Sequence, residues 1–221
     1  MKSLILFSGG IDSAVCALLA KNEKKEIFGL TFDYSQRHRI EMNKARKLGK
    51  IIGFEKHFFI KIPSIIFNSS SLVNKELKVP KNYLNKNKIP STYVPSRNLI
   101  FLSIASALAE SEGMDEIYIG ANQLDFSGYP DCTLNFIKAF QNCLKFGTKR
   151  GIEGRTIKII APLINKSKKE IVKIGEKLGL DFSLTWSCYE PKNGKPCGNC
   201  DSCLIRKNAF KNAKIKDPLY N

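Results

Sequence analysis

No apolar run among the 221 residues approaches the roughly 18 to 20 that a membrane-spanning helix needs. The opening MKSLILFSGG has only four consecutive apolar residues and no small-residue cleavage site beyond them, unlike a secretory leader. Acidic residues are scarce, 20 against 36 basic ones, and the net charge is +16. Arginine is scarcer still: only seven of the 36 basic residues carry the guanidinium suited to bidentate phosphate or base contacts. The lysines are scattered, in runs such as KNEKK and KSKKE on solvated faces. This pattern makes nucleic acid an unlikely partner, while a field of this sign attracts an anionic small substrate. No internal repeat is present. The expectation is a soluble, cytoplasmic protein of one domain, or one domain with a small appendage.

The chain then alternates. SLILFS (3–8), EIFGLTFDY (26–34), EKHFFIKI (55–62), EIYIGAN (116–122) and IKIIAPL (157–163) read as strands. Between them, IDSAVCALLAKN (11–22), RIEMNKARKLGKIIG (39–53), RNLIFLSIASALAESEG (97–113) and LNFIKAFQNCLKFGT (134–148) carry apolar residues at helical spacing. Ser167 and Glu170 form a capping box opening KKEIVKIGEKLG, which Gly179 closes. This order predicts an α/β fold with a doubly wound, Rossmann-like parallel sheet, and ligands outside the carboxyl ends of its strands. Residues 63–93, rich in Asn, Ser, Lys and Pro, interrupt the rhythm as an irregular insertion, either a disordered loop or a functional lid, with the motifs at both ends favouring the lid. The sheet domain spans 1–185; residues 186–221 form a turn-rich, cysteine-rich segment and tail.

At the first strand–helix junction stands SGGIDS, residues 8–13. The Gly9–Gly10 pair lets the backbone approach an anion, and Ser8 and Ser13 offer hydroxyls. The amides of the helix starting near Ile11 point to the same place. No Gly-Lys-Ser/Thr follows, so this is not a Walker loop around β- and γ-phosphates. Asp12 would repel phosphates unless it acts through a metal ion, which suggests Mg²⁺.

The second concentration of chemistry is Cys188-x8-Cys197-x2-Cys200-x2-Cys203. Four thiolates with Pro196 and Gly198 allowing tight turns suit a tetrahedral Zn²⁺ site that stabilises the tail; an iron–sulfur cluster is the alternative. Cys16 and Cys143 fall on predicted helices and read as core residues.

The set Ser8, Gly9, Gly10, Asp12, Ser13 resembles the pyrophosphate (PP) loop of ATP pyrophosphatases, of adenine nucleotide alpha hydrolase-like fold. With FDYSQRH (32–38), VPSRN (94–98), DFSGYPDC (125–132), TWSCYEP and CGNCDSCLIRKNAF, nearly the whole chain closely resembles the 7-cyano-7-deazaguanine synthases, the QueC-type family. The resemblance implies ATP-dependent conversion of 7-carboxy-7-deazaguanine and ammonia to the nitrile preQ0 in queuosine precursor synthesis, by a homodimer. It places ATP on Phe7 through Ser13 and at Asp33, against ribose or adenine. Arg97 becomes a phosphate or carboxylate clamp, and Lys168 either neutralises phosphates or is a solvated helix residue. Arg37, His38, Asp125, Ser127, Gly128, Tyr129 and Asp131 become the substrate pocket. Asp12, Arg97 and Lys168 form the expected catalytic set; Cys132 is read as packing.

Two positions depart from the family pattern. Ser35 stands where Gly is usual, which implies a slightly different turn, and Thr133 stands where Arg is usual after Pro-Asp-Cys. A tRNA-thiolating pyrophosphatase would need a reactive cysteine pair near the loop and an RNA-binding extension, neither of which is evident. A zinc-binding regulatory protein that keeps the fold for binding alone is disfavoured by the complete loop and the strand-end motifs.

Overall fold

The apolar runs pair into one sheet in the computed structural model, which describes residues 1–35, 40–74, 76–80, 89–123 and 129–220. Its strands are β1 (Lys2–Leu6), β2 (Glu26–Asp33), β3 (His57–Lys61), β4 (Glu116–Tyr118) and β5 (Lys158–Ile160). All pair parallel, in the order β3-β2-β1-β4-β5. Alternate residues of each strand face opposite layers. Leu4, Leu30, Phe32, Ile117 and Ile159 join the core beneath helices α3 (Arg97–Ser111) and α4 (Leu134–Gly147). Ile5, Phe7, Ile27 and Tyr118 join the other layer, with α1 (Ile11–Asn22), α2 (Ile40–Ile52) and α6 (Lys168–Lys177). Helices on both faces make the doubly wound architecture expected from the alternation.

Several boundaries have visible causes. The capping box at α6 forms as expected: the Ser167 amide donates to Glu170 Oε2 at 2.8 Å, and the Glu170 amide donates back to Ser167 Oγ at 3.3 Å. Gly113 and Gly179 end α3 and α6 with φ of +66° and +73°. Strand β5 stops at Ile160, short of the expected 163, because Pro162 cannot donate to a ladder. Cys16 is buried as expected, but Cys143 is exposed: the inward stripe of α4 is Ile137, Phe140 and Leu144, and Cys143 lies off it.

A short helix, α5 (Lys149–Ile152), follows α4 and had no counterpart in the sequence reading. Within the turn-rich, cysteine-rich tail stands α7 (Asp201–Ala213), for which no helix was expected; its Ala209, Phe210 and Ala213 enter the same core as Ala14, Ala17 and Val172. In the insertion, Phe67, Leu72 and Val73 pack into the α3/α4 core. No described helix is long and apolar enough to cross a membrane.

Candidate active site

The sheet order reverses direction between β1 and β4, and the crevice at their carboxyl ends is the expected ligand position for an open α/β sheet. A cavity of about 350 Å³ occupies it. Gly9 takes φ +81° and lies so close to α2 that an added Cβ would stand 2.9 Å from the Ala45 amide nitrogen. Ser8 and Ser13 brace this turn. Ser13 Oγ donates to the Gly10 carbonyl at 3.0 Å and accepts from the Ser8 amide at 3.2 Å. Ser8 Oγ accepts from the Gly10 amide at 3.2 Å. The two hydroxyls thus fix the loop, while the first-turn amides of α1 have no carbonyl one turn back to bond.

Gly120, just past β4, runs against the start of α1; a Cβ there would sit 3.1 Å from the Asp12 carbonyl carbon and 3.2 Å from the Ser13 nitrogen. A lone Gly after a strand gave no sequence signal for this. First-turn residues of α1, α2, α3, α6 and α7 all reach the cavity wall, so several positive helix ends converge on one space. Lys168 opens α6 and Arg97 opens α3, where the helix dipole disfavours a cation. Such placement makes sense beside bound anions.

Lys168 Nζ is paired with Asp12 Oδ2, both side chains about a quarter exposed. Arg97 Nε donates to Asn98 Oδ1 at 3.3 Å, and its guanidinium also bonds the Tyr34 hydroxyl. Burial opposes its charge, but Tyr34, Cys132 and Asp131 more than offset that, so Arg97 is held protonated. Cys132 lines the cavity with Sγ 3.2 Å from Asn98 Nδ2. Burial pushes its thiol up to about 11, with Arg97 pulling the other way. It is therefore a thiol and not a nucleophilic thiolate at neutral pH. Cys16, behind the loop, is likewise raised well above its ordinary value, by burial and then by Asp12.

Of the expected residues, Phe7, Ser8, Gly10, Ile11, Asp12, Ser13, Arg97, Tyr129 and Lys168 line the cavity. Gly9 shapes the turn without lining it. Asp33 ends β2 but is not on the wall; its Oδ1 accepts from the Ser35 amide at 3.0 Å. Asp131 is buried off the wall, where Oδ2 accepts from the Asn98 amide at 2.9 Å and holds the start of α3. Arg37, His38, Asp125, Ser127 and Gly128 lie outside the described residues. Ser35 takes a left-handed φ of +60°, the conformation that favours glycine. Thr133 caps α4, accepting from the Phe136 amide at 3.2 Å.

Tyr34 of FDYSQRH and Trp186 and Tyr189 of TWSCYEP, to which the sequence assigned no role, complete much of the wall with Phe101 and Glu41, which it did not single out. Trp186 links two features: its amide donates to the Gly9 carbonyl at 3.0 Å and its indole nitrogen to the Cys188 carbonyl at 3.0 Å.

The four cysteines meet. Asn193 and Gly194, with φ of +48° and +74°, form a tight hairpin turn that returns Cys197 to Cys188. All four sulfurs lie within 4.8 Å of one another, with Cys200 and Cys203 at 3.4 Å and Cys197 and Cys203 at 3.8 Å. The edge of a tetrahedron with metal–sulfur bonds of about 2.3 Å is about 3.8 Å, so the donor set fits a single metal ion. The Cys197 amide donates to Cys188 Sγ at 3.2 Å and the Cys200 amide to Cys197 Sγ at 3.4 Å, contacts that favour thiolates.

The family model described as Queuosine biosynthesis protein QueC matches residues 2–214. The 7-cyano-7-deazaguanine synthase of Leptospira interrogans serovar copenhageni is 51% identical over 216 residues, spanning 98% of this chain and 89% of that protein. The protein of the same name from Coxiella burnetii strain RSA 331 is 47% identical over 218 residues, spanning 98% and 96%. Among solved structures, NMN synthetase from Francisella tularensis superposes with a TM-score of 0.51 at 17% identity, over 97% of this chain and 77% of that chain. A 4-thiouridine synthetase in complex with RNA and ATP also gives 0.51, at 21% identity, over 96% and 50%. At these identities the two structures speak to a shared fold alone.

Proposed function

Because the chain belongs to the QueC family of queuosine biosynthesis proteins, we propose that it converts 7-carboxy-7-deazaguanine and ammonia to 7-cyano-7-deazaguanine with ATP. A carboxylate resists ammonia because its carbon is electron-rich and its oxygen leaves poorly. Transfer of AMP to that oxygen, with pyrophosphate leaving, converts it to a leaving group; ammonia attacks the carbon and AMP departs, giving the amide. A second ATP activates the amide oxygen in the same way, and its loss with AMP leaves the nitrile.

The observation that carries this reading is the pairing of Lys168 with Asp12 in the braced Ser8–Ser13 turn, with Arg97 on the wall of the same cavity. The α1 amides and Lys168 stabilise charge on the departing pyrophosphate, and Arg97 orients the substrate acid toward the α-phosphate. Asp12 is the carboxylate that would hold Mg²⁺, whose chemistry is neutralisation of phosphate charge. Cys188, Cys197, Cys200 and Cys203 would hold Zn²⁺, with no role in the reaction, since four thiolates leave no open position. A multi-iron cluster needs its cysteines farther apart than these. The family resemblance also carries the expectation of a cytoplasmic homodimer.

The test is incubation with ATP, Mg²⁺, ammonium and 7-carboxy-7-deazaguanine, followed by mass spectrometry. Amide and then nitrile should appear, with AMP and pyrophosphate as co-products. Lys168→Met and Arg97→Met should each lower kcat/KM by about 10². Absence of nitrile, or ADP in place of AMP, refutes the reading; an Asp12→Asn variant of full activity refutes the metal role.

A further inference from the structure

Among the described residues, two carboxylates stand on the cavity wall, Asp12 and Glu41. They serve different ends of it. Asp12 belongs to the phosphate loop and is paired with Lys168. Glu41 sits in the first turn of α2, where the helix dipole favours its anion. Its charge is felt by Tyr34 and Tyr189. Tyr34 packs on Phe101 with ring centroids 5.6 Å apart, and Tyr189 shares a hydrogen bond with Tyr129. Arg97 adjoins the aromatic end, its guanidinium bonding the Tyr34 hydroxyl, and acts electrostatically on Tyr129 and Cys132; Cys132 in turn is within the field of Lys168. The cavity is thus graded: phosphate loop and Lys168, then Arg97, then an aromatic compartment with one carboxylate.

We propose that Glu41 reads the donor edge of the substrate's base, accepting from its ring N1–H and exocyclic 2-amino group while Arg97 holds the 7-carboxylate. This rests on the function proposed above. The substrate class is graded in the same sense, with an acid on the five-membered ring and two parallel N–H donors across the six-membered ring. A carboxylate accepts both donors at once, each a charge-assisted bond. Adenine cannot match this: its one amino donor is flanked by ring lone pairs, which a carboxylate repels. The aromatic rings supply stacking faces for the flat bicycle. Glu41 is therefore a specificity-determining residue that separates guanine-like acids from other heteroaromatic acids.

The probes are 7-carboxy-7-deazaguanine and its analogue lacking the 2-amino group, titrated calorimetrically into wild type and Glu41→Gln without ATP. Wild type should bind the acid at least about tenfold more tightly than the analogue, the cost of one lost charged hydrogen bond. Glu41→Gln, which sets an amide N–H₂ against a donor, should weaken the acid by about 30- to 100-fold and the analogue by no more than about tenfold. KM for ATP, read from pyrophosphate release, should move less than twofold. Equal losses for both probes, no loss, or a loss falling on ATP would each overturn the assignment. Should Glu41→Gln fail to fold, the wild-type ratio alone decides: no discrimination between the probes sinks the inference. Failure of the proposed function shows separately, as wild type that discriminates the probes yet forms no nitrile.

Discussion

His57 lies beside the base of the phosphate loop, and one proton count fixes its tautomer. The Thr31 hydroxyl donates its single proton to the Phe7 carbonyl, so its oxygen accepts from His57 Nε2, 2.7 Å away. Burial, then Arg46, pulls the imidazole down to about 4. An unfolded histidine titrates near 6.5, so between those values the unfolded chain binds a proton that the folded chain refuses. Stability is complete above about pH 6.5 and falls by roughly 2–3 kcal/mol as the pH drops toward 4. Denaturant titrations across that window should show the slope, and His57→Gln should flatten it. Ser35 is a second local test. Its φ of +60° is costly for a residue with a Cβ, so Ser35→Gly should raise stability by about 0.5–1 kcal/mol, read as a shift in urea midpoint. The departure from the family pattern was legible in the sequence, but the left-handed backbone of Ser35 was not, because a serine carries no local signal for positive φ.

At the scale of elements, α6 shows how a helix start can position chemistry. Ser167 caps the helix and Lys168 is its first residue, so the cap aims the lysine at Asp12. Ser167→Ala should cost about 1 kcal/mol in thermal unfolding and raise KM for ATP, because the first turn carrying Lys168 frays. This helix and α1 were readable because a capping box and a Gly-Gly turn are local signals followed by regular apolar spacing. Helix α7 was not. Its buried face includes Cys203, Arg206, Phe210 and Ala213, of which one is a metal-ligand candidate and one a charged residue, so no apolar stripe marks it. Arg206 is in fact buried, bonded to Asp217 Oδ2 at 2.7 Å and Oδ1 at 2.8 Å, and to Thr185 Oγ1 at 2.9 Å. Strand β4 also ends earlier than its apolar run because Gly120 turns aside over α1.

For the molecule as a whole, the cysteine cluster and the phosphate loop form one structure. Ser202, Ile205 and Arg206 of α7 line the cavity, Trp186 bonds both Gly9 and the Cys188 carbonyl, and α7 packs along α6. Stripping the metal proposed for this cluster with a chelator should therefore lower Tm by several degrees and weaken the proposed ATP binding together, measured on one sample by calorimetry with metal content from mass spectrometry. Loss of one without the other would separate the two sites. The loop and the four cysteines were legible because each is contiguous in sequence. Glu41 and Gly120 were not, and Trp186 and Tyr189 stood in a quoted motif without a role, because only the fold brings them to the same space. The Gly9–Trp186 bond also sets an order of events in synthesis. The turn leaves the ribosome well before Trp186 and before α7, which supplies part of the cavity wall. A chain made only as far as α6 holds the loop sequence but not the compartment, which closes only once Trp186 and α7 have been translated and folded.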